Sequence, residues 1–400
     1  MTTSRPPHIG VALEGAGWHP AAWREPSSRP ADLFTAAYWI DLVRTAERAG
    51  LDYVSIEDSL ALQSERFLTG DERTDEVRGR LDAVLIASRV APAVSRIGLL
   101  PVVTVTHTEP FHVSKAIATL DYVSEGRAGV QVKVSVRADE AAHVGRRPHP
   151  GDVALDDPAF RAFVDEAFDE AADVVEVVRR LWDSWEDDAE IRDAATDRFL
   201  DADKVHRIDF EGRFFSVRGP SITPRPPQGQ PVVAALAHAE GPYRLAARSA
   251  DVVFVTPADA AHSRSIVDAV RDAERAVERQ GEPLLIVADL LVFLDEPGGE
   301  SGADRLARLD ALGRPLVSDA RIVAGSASTV ADVIDDLVAA GYAGVRLRPG
   351  VATDDLPRIA DDLVPELRHR GLVQSAPHTT LRGRLGLPEG LPSRYATPVA

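Results

Sequence analysis

Short runs of β-branched and aliphatic residues alternate with long amphipathic stretches along most of this chain, and few folds accommodate that rhythm. "HIGVAL" (His8 to Leu13) reads as a strand. "DLFTAAYWIDLVRTAERAG" follows, with Leu33, Ala37, Ile40 and Ala46 on one helical face and Gly50 as a C-cap. Next come the strand "YVSIEDS", the helix "LDAVLIASRVAPAV", the strand "IGLLPVVTVT", a helix closing at Gly126 and the strand "AGVQVKVS". The rhythm then breaks. Residues 136–160 are polar and irregular, a long helix spans Asp165 to Trp185, and Ile208 to Pro220 reads as a hairpin with Gly212 near its turn. After the Pro-rich "TPRPPQGQP" it resumes with strands "VVAAL", "DVVFV", "LLIVADLLVFL" and "GVRLRPG", separated by helical patterns.

Eight strand candidates, most followed by a helix, imply an α/β chain with a parallel sheet. Eight units suit a closed (β/α)8 TIM barrel better than a doubly wound sheet. No G-x-G-x-x-G follows the first strand, which counts against a dinucleotide-binding half. The expected organisation is one barrel domain over residues 1–400. It carries a large insertion after strand 4, about 136–230, and an extended tail, about 374–400. A chain of 400 residues, 44% hydrophobic, has ample material for such a core.

The net charge of −18 argues against nucleic acid and anionic membrane surfaces as partners. With no cysteine there is no disulfide, thiol nucleophile or thiolate metal site. The N-terminus "MTTSRPPHIG" lacks an apolar h-region, and no apolar run is long enough to span a bilayer. A cytoplasmic location is therefore expected.

In a (β/α)8 barrel the ligand site lies at the C-terminal ends of the strands. The residues there are Trp18, His19, Trp23 and Arg24 after strand 1, and Glu57, Asp58 and Ser59 after strand 2. Thr104, Thr106 and His107 follow strand 3, and Gln131, Lys133 and Ser135 belong to strand 4. His238, Ala239, Glu240 and Gly241 follow strand 5. This set is aromatic and hydrogen-bonding, with no compact acid–base triad. It suits a flat heteroaromatic cofactor held between apolar walls. The bland readings are that Trp18 and Trp23 plug the barrel mouth, that Asp58 caps the next segment and that His206 is a surface residue. No metal site is expected: Pro110 starts a helix, which separates His107 from His112. The acid-rich 183–203 stretch reads as a solvent-facing connection.

Several segments carry a resemblance: "GWHPAAWREP", "EDSLAL", "TEPFHVSKAIATLDYVSEGRAG", "VVRRLWDSWEDDA", "FEGRFFSVRGPSITPRPPQGQPVV" and "LRGRLGLPEGLPSRYA". In this order, from about His8 to Tyr395, they resemble the bacterial luciferase-like flavin monooxygenases of the nitrilotriacetate and dibenzothiophene sulfone monooxygenase type. The resemblance implies a dimeric or larger assembly of (β/α)8 barrels. Reduced FMN, supplied by a separate flavin reductase, would react with oxygen there to oxygenate a small organic substrate. It implies His19 and Trp23 as the catalytic loop positions over the flavin. Asp58, Thr104, Gln131, Phe168, His238, Ala239, Glu240 and Gly241 would be flavin contacts, and Trp18, Arg24 and His107 would face the substrate. Trp18 stands where relatives more often carry a histidine, so a more apolar pocket is expected.

The departures from the family pattern cluster at the phosphate end. Gln131 replaces an asparagine, and Phe168 replaces a phosphate-binding tyrosine. Ala239 stands in the region of a serine donor, and Glu240 adds negative charge where a phosphate would approach a helix N-terminus. Two alternatives stay open: a deazaflavin- or altered-flavin-dependent oxidoreductase, and a flavin-site-degraded barrel acting as a binding or accessory protein. For the substrate, the apolar loop suggests a hydrophobic molecule, while Arg24 or Lys133 could serve a polyamino-acid substrate.

Overall fold

Strand β1 (His8–Leu13) is buried along its whole length, as a parallel strand covered on both faces must be. It pairs in parallel with β2 (Tyr53–Ile56), which continues through β3 (Gly98–Thr104) to β4 (Gly129–Lys133). The computed structural model describes residues 6–64, 66, 68–144, 148–151, 153–373 and 379–396.

Between these strands lie α1 (Ala36–Ala49), α2 (Ala83–Val90) and α3 (Pro110–Val123). Thr35 caps α1 and Gly50 ends it at φ 84°, the left-handed conformation glycine adopts without strain. The buried face of α1 is Tyr38, Trp39, Leu42, Val43 and Ala46. Of the expected stripe, Ala37 is exposed and Ile40 half-buried, because the two large aromatics claim the core-facing arc. Pro110 opens α3 as expected, and His112 sits in its first turn.

The insertion comes next. It holds α4 (Ala138–Val144) and α5 (Pro158–Asp183), then two antiparallel hairpins, β5 (Glu190–Asp193) with β6 (Arg198–Leu200) and β7 (Phe210–Glu211) with β8 (Ser216–Val217). The second hairpin is the expected one; the first occupies the stretch read as a plain connection. Helix α5 begins at Pro158 rather than Asp165, because Asp157 caps the Ala159 amide. It fills the barrel's helical layer by packing against α3 and α6 (Glu240–Ser249). Its last residue, Asp183, is buried rather than solvated and pairs with Arg225 at 2.9 Å and Arg394 at 3.1 Å. His206 is only half-exposed: it bonds Glu186 at 2.7 Å and stacks on Tyr395.

The barrel resumes with β9 (Val232–Leu236) and β10 (Val252–Val255), then α7 (Ala260–Ala276), β11 (Leu285–Leu294) and α8 (Gly302–Asp310). After β12 (Arg321–Gly325) and α9 (Ala327–Ala339), β13 (Gly344–Pro349) returns beside β1. Pairing of β4 with β9, β9 with β10, β10 with β11 and β11 with β13 closes an eight-stranded parallel barrel. Strand β12 went unread in the sequence. It adds to the outer half of β11, from Leu290 to Leu294, which runs beyond the barrel wall.

The chain then forms α10 (Ala352–Arg358), a short π-helical turn, α11 (Val364–His369) and α12 (Leu381–Arg384). Leu381, Leu385 and Leu387 cluster with Tyr53, Leu100, Val232, Val252, Phe254 and Val287 inside the barrel. The described part of the tail thus seals the apolar floor and leaves the opposite mouth for ligands. Residues 374–378 and 397–400 of the expected tail lie outside the described residues.

Candidate functional site

Above that apolar floor the barrel interior becomes charged. Register places Asp289 of β11 directly beside Arg346 of β13. Arg346 grips the carboxylate with both arms, at 2.7 and 2.6 Å, and Arg348 donates to the same carboxylate. All three side chains are buried. Burial alone would push the Asp289 carboxyl up, but the two guanidiniums outweigh it and hold it below the ordinary carboxylate range. Arg346 also donates to Ser55 Oγ at 3.1 Å and to Gln131 Oε1, lies 3.7 Å from Glu57, and stacks over Phe254 at 3.7 Å. Arg348 reaches Asp319 at 2.8 Å and lies over the Trp18 ring at 4.5 Å.

This cluster floors a cavity of about 750 Å³ at the C-terminal mouth, the size of a cofactor site. Its walls include Trp18, Val132, Phe160, Phe168, Leu236 and Leu245. Trp18 is held in place by β1, whose Ala12 carbonyl accepts its indole N–H at 3.1 Å. The loop after β1 is laced to the loop after β13: the amides of Trp18 and His19 donate to Pro349 and Gly350 carbonyls at 3.0 Å. Gly17 makes that contact possible, since a Cβ there would lie 2.4 Å from the Gly350 carbonyl at a φ of +136°.

The structure brings Trp18, Gln131, Phe168 and His238 to this cavity. Ala239 caps α6 without a side-chain bond, so the helix starts at the cavity rim, where Pro242 lines it. The Phe168 ring faces Gly241, 3.8 Å from where a Cβ would stand. Glu240 points to solvent and pairs with Arg244. Arg161 of α5 also lines the cavity, with no carboxylate within ion-pairing distance among the described residues. The Gln131 carbonyl is taken by Arg346, which leaves its NH2 to donate. Thr104 pairs in register with Lys133, and its buried hydroxyl has no partner among the described residues.

Other expected positions are used elsewhere. His19 is buried and is not among the residues that line this cavity. Its Nδ1 accepts the Ala21 amide at 2.9 Å, and its Nε2–H donates to Asp310 at 2.9 Å. Burial lowers its pKa, with the Asp310 bond opposing, so the neutral ring is favoured. The Trp23 indole donates to the Asp75 carbonyl at 3.2 Å, and Arg24 donates to the Asp75 and Leu312 carbonyls. Both act as loop ties outside the cavity. The Asp58 carboxylate accepts the Ala83 and Ser59 amides, the capping role its position allowed. His107 is buried and is not among the residues that line this cavity. Besides Trp18 and the aliphatic walls, Arg346, Arg348 and Glu57 also line the cavity.

Because the folded-state pKa of His19 is depressed, the unfolded chain binds the extra proton first. Wild-type stability should therefore fall as pH drops below about 6.5, the ordinary histidine value. In His19→Gln that acid-side loss should shrink, while stability at pH 8 should drop by about 1–3 kcal/mol through the lost buried bonds. Urea unfolding at the two pH values checks both.

Asp289, Arg346 and Arg348 escaped the sequence reading. The available signal was charge inside otherwise apolar strands, "LLIVADLLVFL" and "GVRLRPG". A charged residue there has to be paired.

Residues 16–312 match the profile of the luciferase-like monooxygenase family. The chain is 32% identical over 286 residues to N-acetyl-S-(2-succino)cysteine monooxygenase of Bacillus subtilis (strain 168), covering 72% of this chain and 60% of that protein. It is 32% identical over 308 residues to nitrilotriacetate monooxygenase component A of Aminobacter aminovorans, covering 76% and 65%. The chain thus spans less than two thirds of the length of these two relatives. The structure of EDTA monooxygenase from Chelativorans sp. BNC1 shares the fold, with a TM-score of 0.77 at 23% identity over 96% of this chain and 99% of that one.

Proposed function

Because the chain belongs to the luciferase-like monooxygenase family, we propose that it is the oxygenating component of a two-component flavin system. It takes reduced FMN from a separate flavin reductase and oxygenates a small organic substrate. The observation that carries this reading is the 750 Å³ mouth cavity, with aromatic and aliphatic walls over a floor of fixed hydrogen-bond donors. Its residues fit the cofactor. Trp18, Val132, Phe168 and Leu236 would flank the ring system, and the Gln131 NH2 and the Arg346–Arg348 pair would face its polar edge. The N-terminus of α6, with His238 and Arg161 near it, would face the phosphate. Reduced FMN supplies the oxygen activation when bound. The chain's part is to hold it, keep water out and present the substrate. His19, Trp23 and Arg24 serve by fixing the loops that form the mouth. A homodimer of single-domain barrels is part of this reading. Dependence on a reductase fits a cytoplasmic location.

Titration of the whole chain with FMN, oxidised and then anaerobically reduced, tests the reading by flavin fluorescence and thermal shift. Saturable binding of reduced FMN in the micromolar range is expected. Binding of a deazaflavin alone would make the barrel a different oxidoreductase. No binding of any flavin or deazaflavin would make it a binding or accessory protein.

A further inference from the structure

A second cavity of about 610 Å³ adjoins the first and shares Lys133, Val134, Val136 and Asp319 with it. Its character is opposite. Arg66, Arg80, Lys133 and Arg137 reach it, against the carboxylates of Glu140 and Asp319, with serines 59, 64 and 135 between them. Most of these charges are committed. Arg80 pairs with Glu14 at 3.2 Å and Arg137 with Asp139 at 2.6 Å. Asp319 is held by Arg348, and Glu140 takes the Ser59 hydroxyl.

Lys133 differs. It is half-buried at the seam of the two cavities, and its ammonium donates to the Asp58 carbonyl at 2.9 Å. No hydrogen bond to a carboxylate engages it among the described residues, and the Glu14 carboxyl feels its charge only through space. An ammonium has three N–H donors, so two remain for a ligand. A carboxylate is the group that best matches a half-desolvated cation beside further guanidiniums.

We propose that the second cavity receives a carboxylate-bearing substrate, anchored on Lys133, so that the rest of the molecule extends into the larger cavity. The occupant is a small organic acid with one or more carboxylates. Calling it a substrate rests on the flavin reading; the anion site itself does not. Arg24, the other basic candidate in the sequence, is spent on backbone carbonyls outside the cavities.

Calorimetric titration of the full chain with propane-1,2,3-tricarboxylate, and with its neutral triamide, tests the site. The tricarboxylate should bind wild type, more weakly as salt is raised. Affinity should fall at least 10-fold in Lys133→Met and recover in Lys133→Arg, and the triamide should not bind. Lys133→Gln replaces Lys133→Met if the latter fails to fold. No tricarboxylate binding, equal binding by the variants, or equal binding of the triamide would overturn the proposal. Wild-type FMN titration is a separate measurement, so failure of the flavin reading and failure of this site remain distinguishable.

Discussion

Replacing Asp289 with alanine should lower the unfolding free energy by about 3–5 kcal/mol, because it strands two buried guanidiniums without their shared counter-ion. Arg346 is fully buried, and Arg348 nearly so. Both border the mouth cavity, and Asp289 is the carboxylate they share. Urea unfolding measures the loss. The pH dependence follows from the depressed carboxyl. Its folded pKa lies below the ordinary 3.8, so the unfolded state takes up the proton first as pH falls. The stabilisation is fully present above about pH 4 and is lost as pH drops through the folded value. Asp289→Asn keeps the shape and removes the charge, so its stability should change less over that acid range. A wild-type-like acid transition in Asp289→Asn would show that the cluster contributes little.

The second large effect is a gain of affinity. Phe168→Tyr combined with Ala239→Ser should tighten FMN binding several hundred-fold. Each new hydrogen bond to a charged phosphate contributes on the order of 1.5–3 kcal/mol. The geometry supports the pairing: Phe168 lines the cavity beside Gly241, and Ala239 caps α6 with no side-chain bond of its own. Fluorescence titration of wild type and the double variant gives the ratio. An unchanged ratio would mean that the phosphate lies elsewhere, with Arg161 the next candidate.

Legibility in the sequence varied with the physics behind each signal. The barrel strands could be read because a parallel strand covered on both faces must be apolar throughout, as in "HIGVAL" and "VVAAL". Turn and cap chemistry was equally local, so Gly50, Gly126 and Pro110 marked real boundaries. Strand β12 escaped because it is a short add-on to β11, and Ala37 was misplaced because Tyr38 and Trp39 outbid it for the core. The expected site residues divide by position. Trp18, Gln131, Phe168 and His238 reach the cavity, whereas His19, Trp23, Arg24 and Asp58 became ties and caps.

By itself the sequence determined the alternation of elements, and with it a parallel eight-stranded barrel with a mouth at the strand C-termini. These follow from hydrophobic period and chain direction, which are properties of neighbouring residues. Only the tertiary structure decided which polar groups are spent and which are free. His19 is consumed by Asp310, 291 positions away, and Arg346 by Asp289 and Gln131, while Lys133 keeps donors to spare. A hydrogen bond saturates its donor, and the partner that saturates it is chosen by strand register and loop closure between distant segments. No local pattern encodes that choice.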